Sequence, residues 1–574
     1  MKKKIIYNEL SRLLNQPNII NNSLIQGEVD FLGKGFTNDV LIKDCEFEEE
    51  LSFKNCRFFK SLIFDNCEFK KGICFSDFEV IGDLTLKSCK LNLEAIFKDC
   101  TFSSFLSENT HFEDVLFCGY LNNNGIINKE IEIINSFFNK LSFNDIECNK
   151  PLRLKDLQLI TFEIYRSTIN AEISFGHFDS SQYFFAENVY IESSKLKQRL
   201  DFYDGKIEDM IYIHKVNFEE QVVFKRDFSF KRLWLAEVRS RFTFSLDFQD
   251  NFEDVNLSDC NFETSFSIHN FEKLTRYKHK ISIDFSGIIT GNYVIEEIPT
   301  SSIHLSGINY GNIIFQNIET KFITFSQFYN FSRNSKVFIN SIKYNPDYNI
   351  LIVFDSNLGN TEFENIDFRR FDEVIIVKSE VSNMLLTNSL FPKKIQIKSK
   401  APKLGYEVPL PEKINDNMYL RDSYRQLKLA MEKMGNRYYS LLYRSKEMYY
   451  HRKELNWGWD KILLYINYLS NNNGISWIRG IIFTLTCALI AFLCLNFHMN
   501  DPLFYWTIDA SFKETFDTIR SNAGNFISYL STYPILKLDG LKESWVVDLI
   551  VLLSRIFVSV GIYQIITAFR KYGK

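Results

Sequence analysis

No HExxH, no Walker loop, no dinucleotide fingerprint and no GxSxG occurs anywhere in the 574 residues. The eight histidines are scattered, mostly in strand-like contexts, where His177 and His304 read as solvated surface positions. With no constellation for acid–base or nucleophilic work, the chain is not expected to be an enzyme. A charge excess is also missing. Lys and Arg number 67 against 71 Asp and Glu, a net charge of −4, which excludes a global basic field for nucleic acid or anionic lipid and leaves only local patches. The start, "MKKKIIYNELSRLL", is no signal peptide, because Asn8, Glu9 and Arg12 interrupt the apolar run; it reads as a short amphipathic helix. The soluble part is therefore expected in the cytoplasm, where thiols stay reduced. Gly (23) and Pro (10) are scarce. CxxC pairs are absent and the cysteine spacing brings no histidine alongside, which speaks against a metal site; no cofactor is expected.

What is abundant is phenylalanine, 56 residues of it, in a repeating grammar. "LSFKNCRFFKS" (Leu51 to Ser61) is followed by "LIFDNCEFKKG" (Leu62 to Gly72). Cys45, Cys56, Cys67, Cys89 and Cys100 stand on one 11-residue grid, with Phe78 in the remaining slot. Asp44, Asn55, Asn66, Asp77, Ser88 and Asp99 precede the slots, and Phe47, Phe58, Phe69, Val80, Leu91 and Phe102 follow two positions later. A second grid holds Phe53, Phe64, Phe75, Leu86 and Phe97. The inward positions are thus spaced 2, 3, 2, 4. A spacing of 2 is extended backbone; the 3 and the 4 are corners, where Asn, Asp and Ser suit the turn because their side chains bond nearby backbone. No helix gives this pattern. A right-handed parallel β-solenoid does, with two 11-residue units to a coil, Phe and Leu along the axis, and Cys as a small hydrophobe beside it.

In these residues the chain resembles the pentapeptide-repeat proteins: "NCEFKKG" has their small residue, variable residue and Phe or Leu after an Asp or Asn. It departs by one extra residue per two pentapeptides and by Cys where Ala is usual. The grid is clean to about residue 102; "LSFNDIEC", "VNLSDCNFETSFSIHNF" and "FENIDFRRF" keep the vocabulary without the period. The expected organisation is a helical cap over 1–25, a cytoplasmic solenoid over 26–400, a helical linker with an interfacial helix over 401–476, and a two-span membrane domain over 477–574.

Pro402, Pro409 and Pro411 punctuate the end of the β region. Ser423 to Leu455 then has apolar residues at helical spacing, and Gly435-Asn436 could break it into a hairpin. Trp457 to Leu469, rimmed by Trp and Tyr, has the composition of a membrane-interface segment. Gly480 to Phe497 carries no charge over 18 residues, and a second span runs from about Trp545 to Phe569 with Asp548 and Arg555 inside it. Basic residues crowd before the first span (Arg444, Lys446, Arg452, Lys453, Lys461, Arg479) and after the second (Arg570, Lys571, Lys574), while acids outnumber bases between them. The positive-inside rule puts both termini in the cytoplasm. The intervening "DASFKETFDTIRSNAGNFISYLSTYPIL" is expected to open with an N-cap at Asp509 or Ser511, to form an amphipathic helix to about Ile519, and then to continue extended.

Span, short helix, extended piece and span follow in the order of two-transmembrane channel pore domains, which the end "SRIFVSVGIYQIITAFRKYGK" also resembles. TVGYG is absent, and "SNAGNFIS" stands in roughly its place, so potassium selectivity does not carry over.

Three groups of residues are candidates for function. Arg555 is costly inside a span, and Asp548 and Ser559 share its helical face; the three are expected either to line a pore, where an arginine ring would favour anions, or, for Arg555, to pair with Asp517 or Glu514. "FKRDFSFKRLWLAEVRSRF" puts Lys225, Arg226, Lys231, Arg232, Arg239 and Arg241 among Phe228, Phe230 and Trp234, a mixture suited to phosphate contact and base stacking. The alternative is a solvated solenoid wall with its aromatics inside. Lys273, Arg276, Lys278 and Lys280 flank that cluster or form a loop, and Lys393, Lys394, Lys398, Lys400 and Lys403 could touch anionic lipid.

A cytoplasmic solenoid on a two-span tail reads as a sensor joined to a channel, which must oligomerise to enclose a pore, with four subunits the default. This layout resembles the Hailong-type membrane channel effectors of bacterial anti-phage systems. The resemblance implies a bacterial inner-membrane protein whose solenoid takes an oligonucleotide made by a partner nucleotidyltransferase. The competing expectation is a membrane-anchored scaffold whose solenoid binds protein and which conducts nothing.

Overall fold

The computed structural model describes residues 2–16, 19–118, 131–149, 151–176, 184–224, 228–247, 252–269, 280–346, 348–392, 394–396, 416–498, 512–531 and 544–569. The chain divides into two compact units, Met1–Val374 with Met384–Pro392, and Ile375–Asn383 with Lys393–Lys574.

The first unit is a parallel β-solenoid of about 16 turns. One coil shows how the sequence builds it. Leu51–Lys54, Arg57–Phe58, Leu62–Asp65 and Glu68–Phe69 are four strands around the axis, and Ile73–Ser76 then lies on Leu51–Lys54 in parallel register. Register partners are one 22-residue coil apart: Leu62 with Leu84, Phe53 with Phe75, and Phe75 with Phe97. Two 11-residue units therefore make one coil, as the grid requires.

The corner chemistry follows the sequence closely. Asp44, Asn55, Asn66, Asp77, Ser88 and Asp99 all adopt left-handed backbone, with φ between 46° and 54°, the conformation that Asn and Asp tolerate best among residues with a Cβ. Each corner also reaches the next coil: the N–H of Asn66 donates to the Lys87 carbonyl at 2.8 Å, and its side-chain amide donates to Asp44 Oδ1 at 2.6 Å. The next residue turns inward. Cys67 Sγ donates to the Ile42 carbonyl at 3.3 Å and Cys56 Sγ to the Phe31 carbonyl at 3.3 Å. All eleven cysteines are free thiols.

The axis is filled by ring ladders. Phe31, Phe53, Phe75, Phe97, Phe117 and Phe143 stack coil upon coil at centroid separations of 4.6 to 5.6 Å. Helix α1 (Tyr7–Leu14) packs Tyr7 against Phe31 at 5.2 Å and buries Leu10 and Leu14. Strand pairing begins ahead of residue 26, with Lys3–Ile5 on Ser23–Ile25. Beyond Phe97 the coil length varies: partners are 20 positions apart at Ser301 and Ile281, and 28 at Asn330 and Leu358. The insertions break the period while the parallel register continues to Leu385–Thr387.

The second unit is helical. Helices α2 (Asp416–Lys433) and α3 (Arg437–Glu454) form a hairpin. Gly435, at φ +72°, breaks the helix, and the Asn436 side chain caps α3 by accepting from the Tyr439 N–H. Lys428 and Glu447 pair across the hairpin at 2.8 Å. Helix α4 (Trp459–Asn471) ends at Asn472, Asn473 and Gly474, all with positive φ, and α5 (Trp477–Asn496) starts from the Ser476 cap. Helices α6 (Phe512–Ser531) and α7 (Trp545–Phe569) follow. By length and composition α5 and α7 are long and apolar enough to cross a membrane.

One expectation is corrected. The "SNAGNFIS" stretch is not extended, because α6 runs through it to Ser531. Phe516, Ile519, Ala523, Phe526, Ile527 and Leu530 continue one helical stripe across it, and a single Gly524 costs a helix only about 1 kcal/mol. The expected caps Asp509 and Ser511 lie outside the described residues.

Candidate functional site

The basic–aromatic cluster is divided by the fold. Arg232–Ala236 pairs with Met210 to His214 in one sheet, whereas Arg239–Ser240 pairs with Asn217–Phe218 in the other. The corner between them is Glu237, at φ +52°. On the first wall, Arg232 donates to both oxygens of Asp209 at 2.6 to 2.9 Å and lies 5.7 Å from the Trp234 ring. The Asp209 carboxylate raises the pKa of this guanidinium above its usual value. The Trp234 indole N–H donates to Asp254 Oδ2 at 2.9 Å, and burial pushes that carboxyl up from the ordinary range. Phe228 and Phe230 point into the core, as alternation along a strand requires.

Arg239 and Arg241, both exposed, come together on the second face in a groove of about 810 Å³. Lys215 adds a third cation, and Glu237, Asp259 and Glu263 line the same groove. The groove is of mixed charge, able to orient a polar ligand through several hydrogen bonds rather than by one strong positive field. Lys225 and Arg226 lie outside the described residues, as do His177, Lys273, Arg276 and Lys278. Lys280 pairs with Glu319 at 2.5 Å. Of the third cluster only Lys394 is described. His304 Nδ1 bonds Asp284 Oδ2 at 3.0 Å. Among the described residues no group of three His, Cys, Asp or Glu could hold a metal ion.

In the second unit, α5 and α7 meet through small residues. Gly480, Ala488 and Ala491 are buried on α5, and Ser554, Val558, Gly561 and Ala568 on α7. A Cβ at Gly561 would run into the Thr484 hydroxyl, and one at Gly480 would lie 2.7 Å from Ile565 Cγ1. This is the close approach that small residues permit between membrane helices. Asp548, Arg555 and Ser559 are exposed in the single chain. At 100° per residue they form one stripe about a third of a turn from the face that packs on α5.

Sequence reasoning counted Arg452 only as a basic residue near a span. The structure buries it among Tyr449, Tyr465 and Tyr468, 5.6, 4.7 and 4.2 Å from the three ring centroids. The i, i+3 tyrosines of α4 were the available signal. Asn471, wholly buried, donates its amide to Gln564 of α7, joining α4 to the second candidate span. No family model, no curated protein and no solved structure matches this chain.

Proposed function

We propose that the chain is a subunit of a homo-oligomeric, by default tetrameric, ion channel of a bacterial inner membrane, an anti-phage effector with both termini in the cytoplasm. Its solenoid takes a phosphate-bearing ligand such as a short oligonucleotide made by a partner nucleotidyltransferase, and that binding gates the pore. The observation that carries the reading is the exposed Asp548–Arg555–Ser559 stripe, which holds the two charged residues of α7. Arginine facing lipid costs about 2.5–3.5 kcal/mol on insertion scales. A ring of subunits removes that cost by turning the stripe toward a pore or a neighbouring helix. The mixed-charge groove at Arg239 and Arg241 is the ligand site this reading favours, with Arg232 and Trp234 on the adjoining wall. Asp209 and Asp254 would have to yield them to a ligand.

Conductance of the purified protein in planar bilayers, read together with its symmetry in detergent, tests the proposal. Arg555→Glu should alter ion preference if the residue lines the pore, or dissolve the oligomer if it meets a neighbour's acid. Unchanged assembly and conductance in Arg555→Leu would show that the residue has neither role and remove the observation on which the channel reading rests. Ligand binding should weaken as salt rises, through counterion release, and charge reversal at Arg239 and Arg241 should abolish it. The scaffold reading draws its support from the Arg232–Asp209 and Trp234–Asp254 pairs, which already use the polar groups of one wall. A protein that assembles yet never conducts would establish it.

A further inference from the structure

Helix α4 has an exposed apolar stripe that nothing among the described residues covers. Trp459 is 82% exposed, Leu463 62% and Leu469 57%, with Ile462 on the same side; Trp457, just ahead of the helix, is 80% exposed. Trp459, Ile462, Leu463 and Leu469 recur at helical spacing on one face, while Trp457 stacks on Tyr465 at 6.3 Å beside it. The opposite face carries Tyr465 and Tyr468, which close over Arg452 of α3. The stripe is thus the outward side of a helix whose inner side is already packed. Only residues 472–476 separate α4 from α5, the first candidate span, so a bilayer that takes α5 meets α4 at its surface.

Charge identifies which lipid. From Arg452 to Arg479 there are four cations, Arg452, Lys453, Lys461 and Arg479, and two acids, Glu454 and Asp460. Glu454 is held by Arg421 at 2.5 Å. The cations are mounted on aromatic rings rather than on carboxylates: Lys453 over Tyr449 at 4.6 Å, Lys461 over Trp457 at 5.3 Å and Arg479 over Tyr468 at 5.3 Å. Cation–π seating fixes a charge while leaving its outer hydrogens to an anion. Arg452 is 5% exposed, and its Nη1 has no hydrogen-bond partner among the described residues, so this cation too rests on ring faces.

We infer that α4, with the end of α3 and the start of α5, is a docking site for anionic phospholipid headgroups. Trp457, Trp459, Leu463 and Leu469 enter the acyl boundary, and Lys453, Lys461 and Arg479 take headgroup phosphates. This rests on the reading of α5 and α7 as membrane spans. Since α4 bonds α7 through Asn471 and Gln564, the headgroup charge of the leaflet bears on the position of the second span.

The test uses the full-length protein in neutral detergent, with thermal unfolding of the helical unit followed as phosphatidylglycerol, phosphatidylcholine or inorganic phosphate is added. Phosphatidylglycerol should raise the midpoint well before phosphatidylcholine does, and inorganic phosphate should not raise it. In Lys453→Gln/Lys461→Gln/Arg479→Gln the half-saturating phosphatidylglycerol concentration should rise about fivefold per lost cation, on the order of a hundredfold in all. The charge-conserving Lys461→Arg/Arg479→Lys should keep the preference, and a lipid-free unfolding midpoint of the triple variant equal to that of the parent shows that its loss is not misfolding. Equal responses to the two lipids, a preference that survives the triple variant, or a phosphate response matching that of the lipid would each overturn the inference. Alkaline extraction of cell membranes checks the span reading separately: a protein that stays in the membrane without headgroup preference defeats the docking site and leaves the channel proposal standing.

Discussion

Phe75→Ala removes a ring with no solvent exposure. It stacks on Phe53 at 5.6 Å and 4°, and on Phe97 at 5.2 Å and 16°, with Phe78 at 4.5 Å. Burying such a side chain is worth roughly 1.5–3 kcal/mol, and aromatic pairs add about 0.5–1.5 kcal/mol beyond area. The walls of the resulting cavity are strands bonded to coils on both sides, so the site cannot collapse, and the expected loss is about 3–5 kcal/mol. Because a solenoid coil touches only its neighbours, the loss should be local. Native-state hydrogen exchange should show the amides of Leu51–Lys54, Ile73–Ser76 and Ala95–Lys98 opening more easily, while those of α2 and α3 keep their protection. Phe59→Ala, at a ring 45% exposed over Arg57, should cost less than about 1 kcal/mol. Loss below about 1 kcal/mol at Phe75, or uniform loss across both units, would refute the ladder as the source of stability.

Other positions give further tests. Asn55→Val places a β-branched residue at φ +51° and should lower solenoid stability by about 1–3 kcal/mol, whereas Asn55→Gly should be close to neutral; thermal unfolding distinguishes them. Burial pushes the Cys260 thiol up to about 12, above an unfolded value near 8.5. Its protonated form therefore contributes full stability below about pH 8.5, which is lost as pH rises toward 12, and Cys260→Ser should flatten that alkaline decline in a denaturant series. The native thiol should also resist alkylation at pH 8. Gly561→Ala should loosen the α5–α7 pair by pressing on Thr484, and Thr484→Ala should restore much of the loss, a coupling that a double-mutant cycle in detergent measures.

The solenoid was legible where corner and core residues coincide on one grid, from Asp44 to Phe102. Further along, the same left-handed corner is occupied by Arg166, Lys215, Glu237 and Lys378. These residues announce no turn, and the neighbouring coils hold them in place. The slot that cysteine marks passes to Thr110, Ser136 and Ser167, each hydroxyl donating to the carbonyl two residues back; reading Ser and Thr as equivalents of Cys would have carried the pattern further. The hairpin break at Gly435 was readable because glycine and asparagine each do one known thing at a helix end. The grouping of Arg232 with Arg239 was not, since closeness in sequence says nothing of the side of a coil on which a residue emerges. Arg452 was missed because its tyrosines come from two helices.

The half-coil repeat also fixes direction around the axis. Since a coil is two similar 11-residue units, deleting Asn55 to Ser76 would join Lys54 to Asp77, keep a left-handed corner at the seam, and seat Phe97 on Phe53. The stack would shorten by one strand spacing, about 4.8 Å, with every later side chain facing as before. Deleting one unit alone would leave the core equally filled and turn the rest of the solenoid half a revolution, moving the Arg239–Arg241 groove to the opposite side relative to α1. Chain length in this protein thus sets an angle as well as a distance, and insertions that are not whole coils re-aim whatever the later walls present.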